Sequence, residues 1–316
     1  RPETRGEEMT IKDIARLSGC GVATVSRVLN NRQDVSEEMR RRVMAVVEEY
    51  GFMPNANAKH LKQLADSSIA IVVKGTNNLL FADLVEKLQT LLREADQDAA
   101  VYYLDEDANE VAFACRLCRE RRPRGFLFLG GDLEQFEADF APITVPSVLL
   151  TNSAEELGFD NLSSFTTDDG KAAEQVICLL ADLGHRHIGV LGGNLSCSQI
   201  SYRRLMGCKA ACERLHIPLD LERQCEQCRY SMPDAYEAAR RLLLRVPELT
   251  AVFALSDVMA LGAIRAFSDM GKRVPEDISV VGYDGIVTGQ YSLPRLTTIK
   301  QDTGLLAGKG VDSLLR

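Results

Sequence analysis

From about residue 69 onward the chain alternates short apolar runs with helix-length amphipathic stretches, and no other feature narrows the possible folds as far. IAIVV (69–73), AVYYL (100–104), GFLFLGG (125–131) and PSVLLTN (146–152) are β-rich and apolar. Helical patterns fall between them at 81–95, 107–121 and 133–140. The alternation continues with a helix at 169–183, HIGVLGG (187–193), helices at 199–215 and 234–245, TAVFALS (250–256), a helix at 257–270 and DISVVGYD (277–284). A strand that is apolar throughout is buried on both faces, as in a parallel sheet covered by helices. Strand–helix repetition therefore predicts an α/β body of doubly wound parallel sheets. Seven such strand runs over ~250 residues exceed the roughly four to six that one sheet usually holds, which predicts two lobes.

The stretch before this body is helical in pattern. Thr10 precedes IKDIARLS with Asp13 three residues on, a variant of the capping box. Ile11, Ile14, Ala15 and Leu17 fall on one helical face. Gly19 and Gly21 break this helix, and a second follows at 22–29 with Val25, Val28 and Leu29 facing inward. Residues 30–32 read as a loop. Ser36 caps a third helix whose apolar face is Val43, Val46 and Val47. Two short helices joined by a glycine turn and backed by a third predict a helix-turn-helix head at 9–54, a linker at 55–66 and the body at 67–316. Residues 1–8 read as upstream sequence, with Met9 as the natural start, and the chain reads as cut within a helix at VDSLLR.

Charge separates the same regions. The chain of 316 residues carries −8 formally. Residues 9–64 hold nine Lys or Arg against six Asp or Glu, residues 1–8 carry −1, and the rest carries −10. A basic head on an acidic body suggests that the head alone meets a polyanion. No window approaches ~18 consecutive apolar residues, and the N-terminus lacks the apolar core of a secretory signal, so a cytoplasmic chain without membrane contact is expected. Nine cysteines in that setting read as reduced thiols. Cys115/Cys118 and Cys225/Cys228 have CxxC spacing and Cys208/Cys212 are a helical pair, but the two CxxC pairs fall in different predicted lobes. No metal or other cofactor is expected.

A helix entering the major groove presents its N-terminal turn to base edges. Here Val22, Ala23, Ser26 and Arg27 would do so, Arg27 by two bonds to guanine and the apolar pair against a thymine methyl. Thr10, Thr24 and Asn30 suit phosphates, which position without specifying.

These segments together resemble the lactose repressor (LacI/GalR) family. The resemblance runs through TIKDIARLSG, TVSRVLNN, VSEEMRRRV and YGFMPNANA in the head. In the body it runs through DLGHRHIGVLGG, FALSDVMALGAIRAF, VPEDISVVGYDG and LPRLTTIKQD. It implies a body like that of periplasmic sugar-binding proteins, with a small effector, a sugar or sugar phosphate, in the interlobe cleft. It further implies a homodimer on a near-palindromic operator and a linker that becomes a hinge helix on DNA, including Asn55. Leu61 matches the leucine that wedges into the minor groove, flanked by Lys59 and Lys62 for phosphates.

The resemblance also carries over effector residues singly. Asn77, Leu80 and Phe81 are the candidates in KGTNNLLF (74–81), a loop that departs from the usual Pro-Asp and Asn-Pro-Phe-Phe pattern. Asp169, Arg204, Ser256, Asp257 and Asp284 are the candidates in the second lobe. Asp, Arg and Asn beside an aromatic wall supply the donors and acceptors that adjacent hydroxyls need. Lys74, at a strand end by the cleft, could neutralise an anionic effector. The other readings are a free sugar-binding protein, which requires a secretory signal, and an enzyme of the same α/β fold. The phosphate-loop, GxSxG and HExxH motifs of such enzymes are missing, so an enzyme is not expected.

Overall fold

A computed structural model describes residues 11–29, 35–50, 68–75, 78–196 and 199–316. The chain divides into two compact units, Arg1–Gln63 and Leu64–Arg316.

The first unit contains α1 (Ile11–Ser18), α2 (Val22–Leu29) and α3 (Glu37–Glu49). Its small core is Ile14, Ala15, Val25, Val28 and Val43, with Val46 and Val47 packed against it. Gly19 ends α1 with a positive φ of 62°, its N–H donating to Arg16 while the Cys20 N–H reaches Ala15. This is the left-handed helix end that glycine permits at least cost. The Arg42 Nη2 then donates to the Ser18 carbonyl at 2.8 Å, fastening α3 to the turn. Ser36 caps α3 as expected, accepting from the Met39 N–H. Leu17, expected inward, is 43% exposed. Ser18, four residues after Ile14, takes the buried position on that face instead.

The second unit consists of two lobes. Lobe 1 contains β1 (Ile69–Lys74), α4 (Leu79–Glu94), β2 (Ala99–Leu104), α5 (Glu110–Glu120), β3 (Gly125–Leu129), α6 (Leu133–Asp139), β4 (Ser147–Leu150) and β5 (Leu162–Phe165). Lobe 2 contains α7 (Asp169–Asp182), β6 (Ile188–Gly192), α8 (Ile200–Arg214), α9 (Leu221–Gln224), β7 (Cys225–Gln227), α10 (Met232–Arg245), β8 (Ala251–Ala254), α11 (Asp257–Asp269), β9 (Ser279–Asp284), α12 (Val287–Gln290) and β10 (Thr297–Lys300). A last helix, α13 (Thr303–Leu315), returns to lobe 1 and packs on α4.

All strand pairs are parallel. The orders are β2-β1-β3-β4-β5 and β10-β9-β8-β6-β7. Counted from its own first strand, each lobe has the same order, 2-1-3-4-5. Order reverses between the first and third strands, which opens a crevice at their carboxyl ends. Each sheet is covered on both faces, by the core of β1, α4 and α13 and that around Phe126, Phe128 and Phe136 in lobe 1, and by two comparable cores in lobe 2. The chain passes between lobes at 166–168 and again at 301–302, and Thr167 Oγ1 donates to Gln301 Oε1 at 3.0 Å, joining the two passages. Among the described residues no helix is long and apolar enough to cross a membrane.

Candidate functional site

Between the lobes, at the carboxyl ends of both sheets, lies a cavity of about 110 Å³. Lys74 at the end of β1, Gly75 after it, Gly130 after β3 and Asn152 after β4 form the lobe 1 wall; Asn194 after β6, Arg204 on α8 and Asp284 at the end of β9 form the lobe 2 wall. This is where doubly wound sheets place their ligands.

Arg204 is positioned by a close helix crossing. A Cβ at Gly207 would lie 2.2 Å from the Gly170 carbonyl oxygen, so α7 and α8 touch backbone to backbone. One turn before Gly207, Arg204 therefore lies over the first turn of α7. Its Nε donates to Asp169 Oδ1 at 2.7 Å and its Nη1 to the Leu255 carbonyl at 2.5 Å. The guanidinium carbon stacks 3.6 Å from the centre of the Tyr283 ring. Asp284 Oδ1 is 4.0 Å from Nη1. Arg204 is 3% exposed, and its Nη2 has no hydrogen-bond partner among the described residues. A guanidinium fixed at two of its nitrogens and stacked on a ring lines the cavity with little orientation left to lose.

Asp284 has φ = 122°, a conformation that side chains other than glycine rarely adopt. Gln301 holds it there, its backbone N–H donating to the Asp284 carbonyl and its Nε2 to Oδ1 at 2.9 Å. Burial pushes the Asp284 carboxyl up to about 7, against the opposing pull of Arg204. The Tyr283 hydroxyl is buried without a partner in hydrogen-bond geometry, and burial raises it.

Four of the expected effector residues line the cavity: Leu80, Phe81, Arg204 and Asp284. Asp169 stands behind it, accepting from Arg204 and from Thr166 Oγ1 at 3.1 Å. Ser256 and Asp257 are corrected by the structure: both are fully buried and neither lines the cavity. The Ser256 hydroxyl caps α11 by accepting from the Met259 N–H. Asp257 accepts from the Ile286 N–H at 2.8 Å and Thr298 Oγ1 at 2.5 Å, and burial raises its carboxyl to about 6. It ties α11 to the segments around β9 and β10. Asn77 lies outside the described residues. Lys74 lines the cavity, but its Nζ is 2.6 Å from Glu110 Oε2, and Glu110 is fully buried. The strand-end lysine is therefore neutralised within lobe 1, by a carboxylate the sequence did not single out.

Further lining residues include Ser201 in the first turn of α8 and Asn78 and Tyr230 in loops without periodicity. Ser201 and Tyr230 share a 2.6 Å hydrogen bond, and Asn78 caps α4 by accepting from the Leu80 N–H. In the first unit, α2 exposes Val22 and Arg27 and half-buries Thr24. Ala23 and Ser26 lie in the same helix. Thr10, Asn30, Asn55, Lys59 and Leu61 lie outside the described residues.

Comparison with known proteins agrees with both units. The family model for bacterial regulatory proteins of the lacI family matches residues 10–55, and that for the periplasmic binding protein-like domain matches 178–316. The chain is 36% identical over 309 residues to the HTH-type transcriptional regulator MalR of Clostridium butyricum, covering 97% of this chain and 92% of that protein. It is 32% identical over 308 residues to the ribose operon repressor of Haemophilus influenzae, covering 97% and 91%. Among solved structures, the lac repressor dimer bound to operator and the anti-inducer ONPF matches with a TM-score of 0.69 and 27% identity, over 98% of this chain and 92% of that one. The CelR–cellobiose complex matches with a TM-score of 0.67 and 27% identity, over 97% and 92%. The chain belongs to the lacI family of bacterial regulatory proteins and is a transcriptional regulator.

Proposed function

We propose that the chain is an effector-controlled repressor, binding a near-palindromic operator as a homodimer through α2 and a sugar-like molecule in the interlobe cavity. The carrying observation is Arg204, fixed by Asp169 and Leu255 and stacked on Tyr283, with its Nη1 4.0 Å from Asp284 in the cavity wall. A guanidinium edge next to a carboxylate, with amide side chains opposite and Phe81 as an apolar wall, suits adjacent hydroxyls over a weakly apolar ring face. With the Lys74 charge taken by Glu110, the arrangement favours an uncharged polyol over a sugar phosphate. The lac repressor bound to operator and the CelR complex with cellobiose support both halves of this reading.

The effector energy acts through lobe closure, which sets how the linkers at 55–66 are presented to DNA. The same reading places the chain in the cytoplasm, acting by binding and not by turnover. Thermal-shift screening against neutral saccharides, sugar phosphates and sugar acids, followed by operator titration with and without the best hit, tests it. Reciprocity requires operator and effector to change each other's affinity by one factor, typically ~5–150-fold. A hit that left operator affinity unchanged would overturn the regulatory half.

A further inference from the structure

The two interlobe passages and one charged cluster lie at opposite edges of the sheets. The passages follow β5 and β10, the edge strands on one side. On the other side the edges are β2 and β7, the corresponding second strands of the two lobes. The loops after them meet across the cleft mouth. Arg229, after β7, places Nη2 2.7 Å from Asp105 Oδ1, Nε 2.8 Å from Glu106 Oε1 and Nη1 3.2 Å from Asp107 Oδ2. The neighbouring Tyr230 N–H donates to Glu106 Oε2 at 3.3 Å. Every nitrogen of one guanidinium in lobe 2 is thus spent on three consecutive carboxylates of lobe 1.

We propose that this cluster is a clasp that holds the cleft closed before the effector arrives, with Arg229 as the positioning residue. Five strands at ~4.8 Å spacing put the clasp ~19 Å from the passages, so a small rotation there separates it fully. The acidic loop favours the closed state, where a cation sits among its carboxylates. Once Arg229 leaves, Asp105, Glu106 and Asp107 face one another with no cation from lobe 2. The clasp also shapes the cavity, because Glu106, Asp107 and Tyr230 line it. Closure and the shape of the effector wall are therefore one event. Its regulatory meaning rests on the effector reading above, while the clasp itself rests on geometry alone. An exposed pair of this kind shifts an equilibrium about two- to five-fold and is screened by salt, so closure should be sensitive to ionic strength.

The Tyr230 amide reports on the clasp directly, since its acceptor is in the other lobe. Hydrogen exchange of the segment 229–231 is measured on the full chain without effector at low and high sodium chloride. Exchange in the wild type should speed up about two- to five-fold as salt rises. Arg229→Gln should be fast at both salts, and Arg229→Lys, which keeps the charge, should lie between. The β8 amides at 251–254 serve as the check that lobe 2 remains folded. Equal, salt-independent exchange in the wild type and Arg229→Gln would overturn the proposal. Because no sugar is present, a failed effector screen leaves this result readable.

Discussion

Gly207→Ala is the smallest change that should move Arg204. The new Cβ would lie 2.2 Å from the Gly170 oxygen and 2.9 Å from its carbon and Cα, where ordinary contact begins at 3.4 Å. Backbone cannot rotate away as a side chain can, so α7 and α8 must part by roughly 1 Å or more. The Arg204–Asp169 bond, now 2.7 Å, then stretches towards ~3.7 Å, beyond hydrogen-bond reach. Overpacking costs about 1–3 kcal/mol, and the helical gain of alanine over glycine returns about 0.5–1 kcal/mol. A net loss of about 1–2 kcal/mol in urea denaturation is expected, together with a weakened effector titration. Gly308→Ala in α13 is the control, since nothing lies within 4 Å of its added Cβ. It should stabilise by about 0.5–1 kcal/mol and leave the effector response intact. A Gly207→Ala protein as stable as the wild type, with unchanged effector affinity, would refute the reasoning.

Arg204→Ala removes the cation from a buried pair and should destabilise by about 3–5 kcal/mol by chemical denaturation, quite apart from effector binding; a loss under about 1 kcal/mol would mean Asp169 is not relying on it. Arg27→Ala should weaken operator binding by ~1–3 kcal/mol and relax base preference at one position per half-site; equal losses on operator and random DNA in titrations would make Arg27 a phosphate contact. Asp284 and Asp257 are raised by burial to about 7 and about 6 from an ordinary 3.8. The folded state therefore holds more protons than the unfolded chain between roughly pH 4 and 7, and their contribution to stability falls as pH rises through that window. Asp284→Asn should flatten this part of the stability profile when urea midpoints at about pH 5 and about pH 8 are compared, and a steeper profile would contradict the assignment.

The internal strands and nearly all long helices were legible because burial on both faces writes an apolar run into the sequence. The strands that the pattern missed are β5 (LSSF), β7 (CEQ) and β10 (TTIK). All three are sheet edges, half-covered and largely polar, so they carry no such run. Arg204 and Asp284 were legible by resemblance. Ser256 and Asp257 were misread because a capping hydroxyl and a buried brace sit at a strand end just as ligand contacts do. Glu110 was missed because its partner Lys74 is 36 residues away, and Tyr230 because its loop has no period. Arg229 and the acidic triplet lie 124 residues apart in sequence, and only the shared strand order of the lobes brings them together.

The return of α13 to lobe 1 has a consequence for synthesis. Leu306, Ala307, Val311 and Leu314 complete the core built on β1 and α4. Lobe 1, made before lobe 2, therefore leaves the ribosome with the α13 side of its sheet, over β3, β4 and β5, uncovered until residues 303–315 emerge. Lobe 2, by contrast, is a single uninterrupted stretch. It can mature while its elder neighbour still waits, so the lobe born second is finished first. For the whole of that interval the apolar flank of α4 and of β3 to β5 faces water.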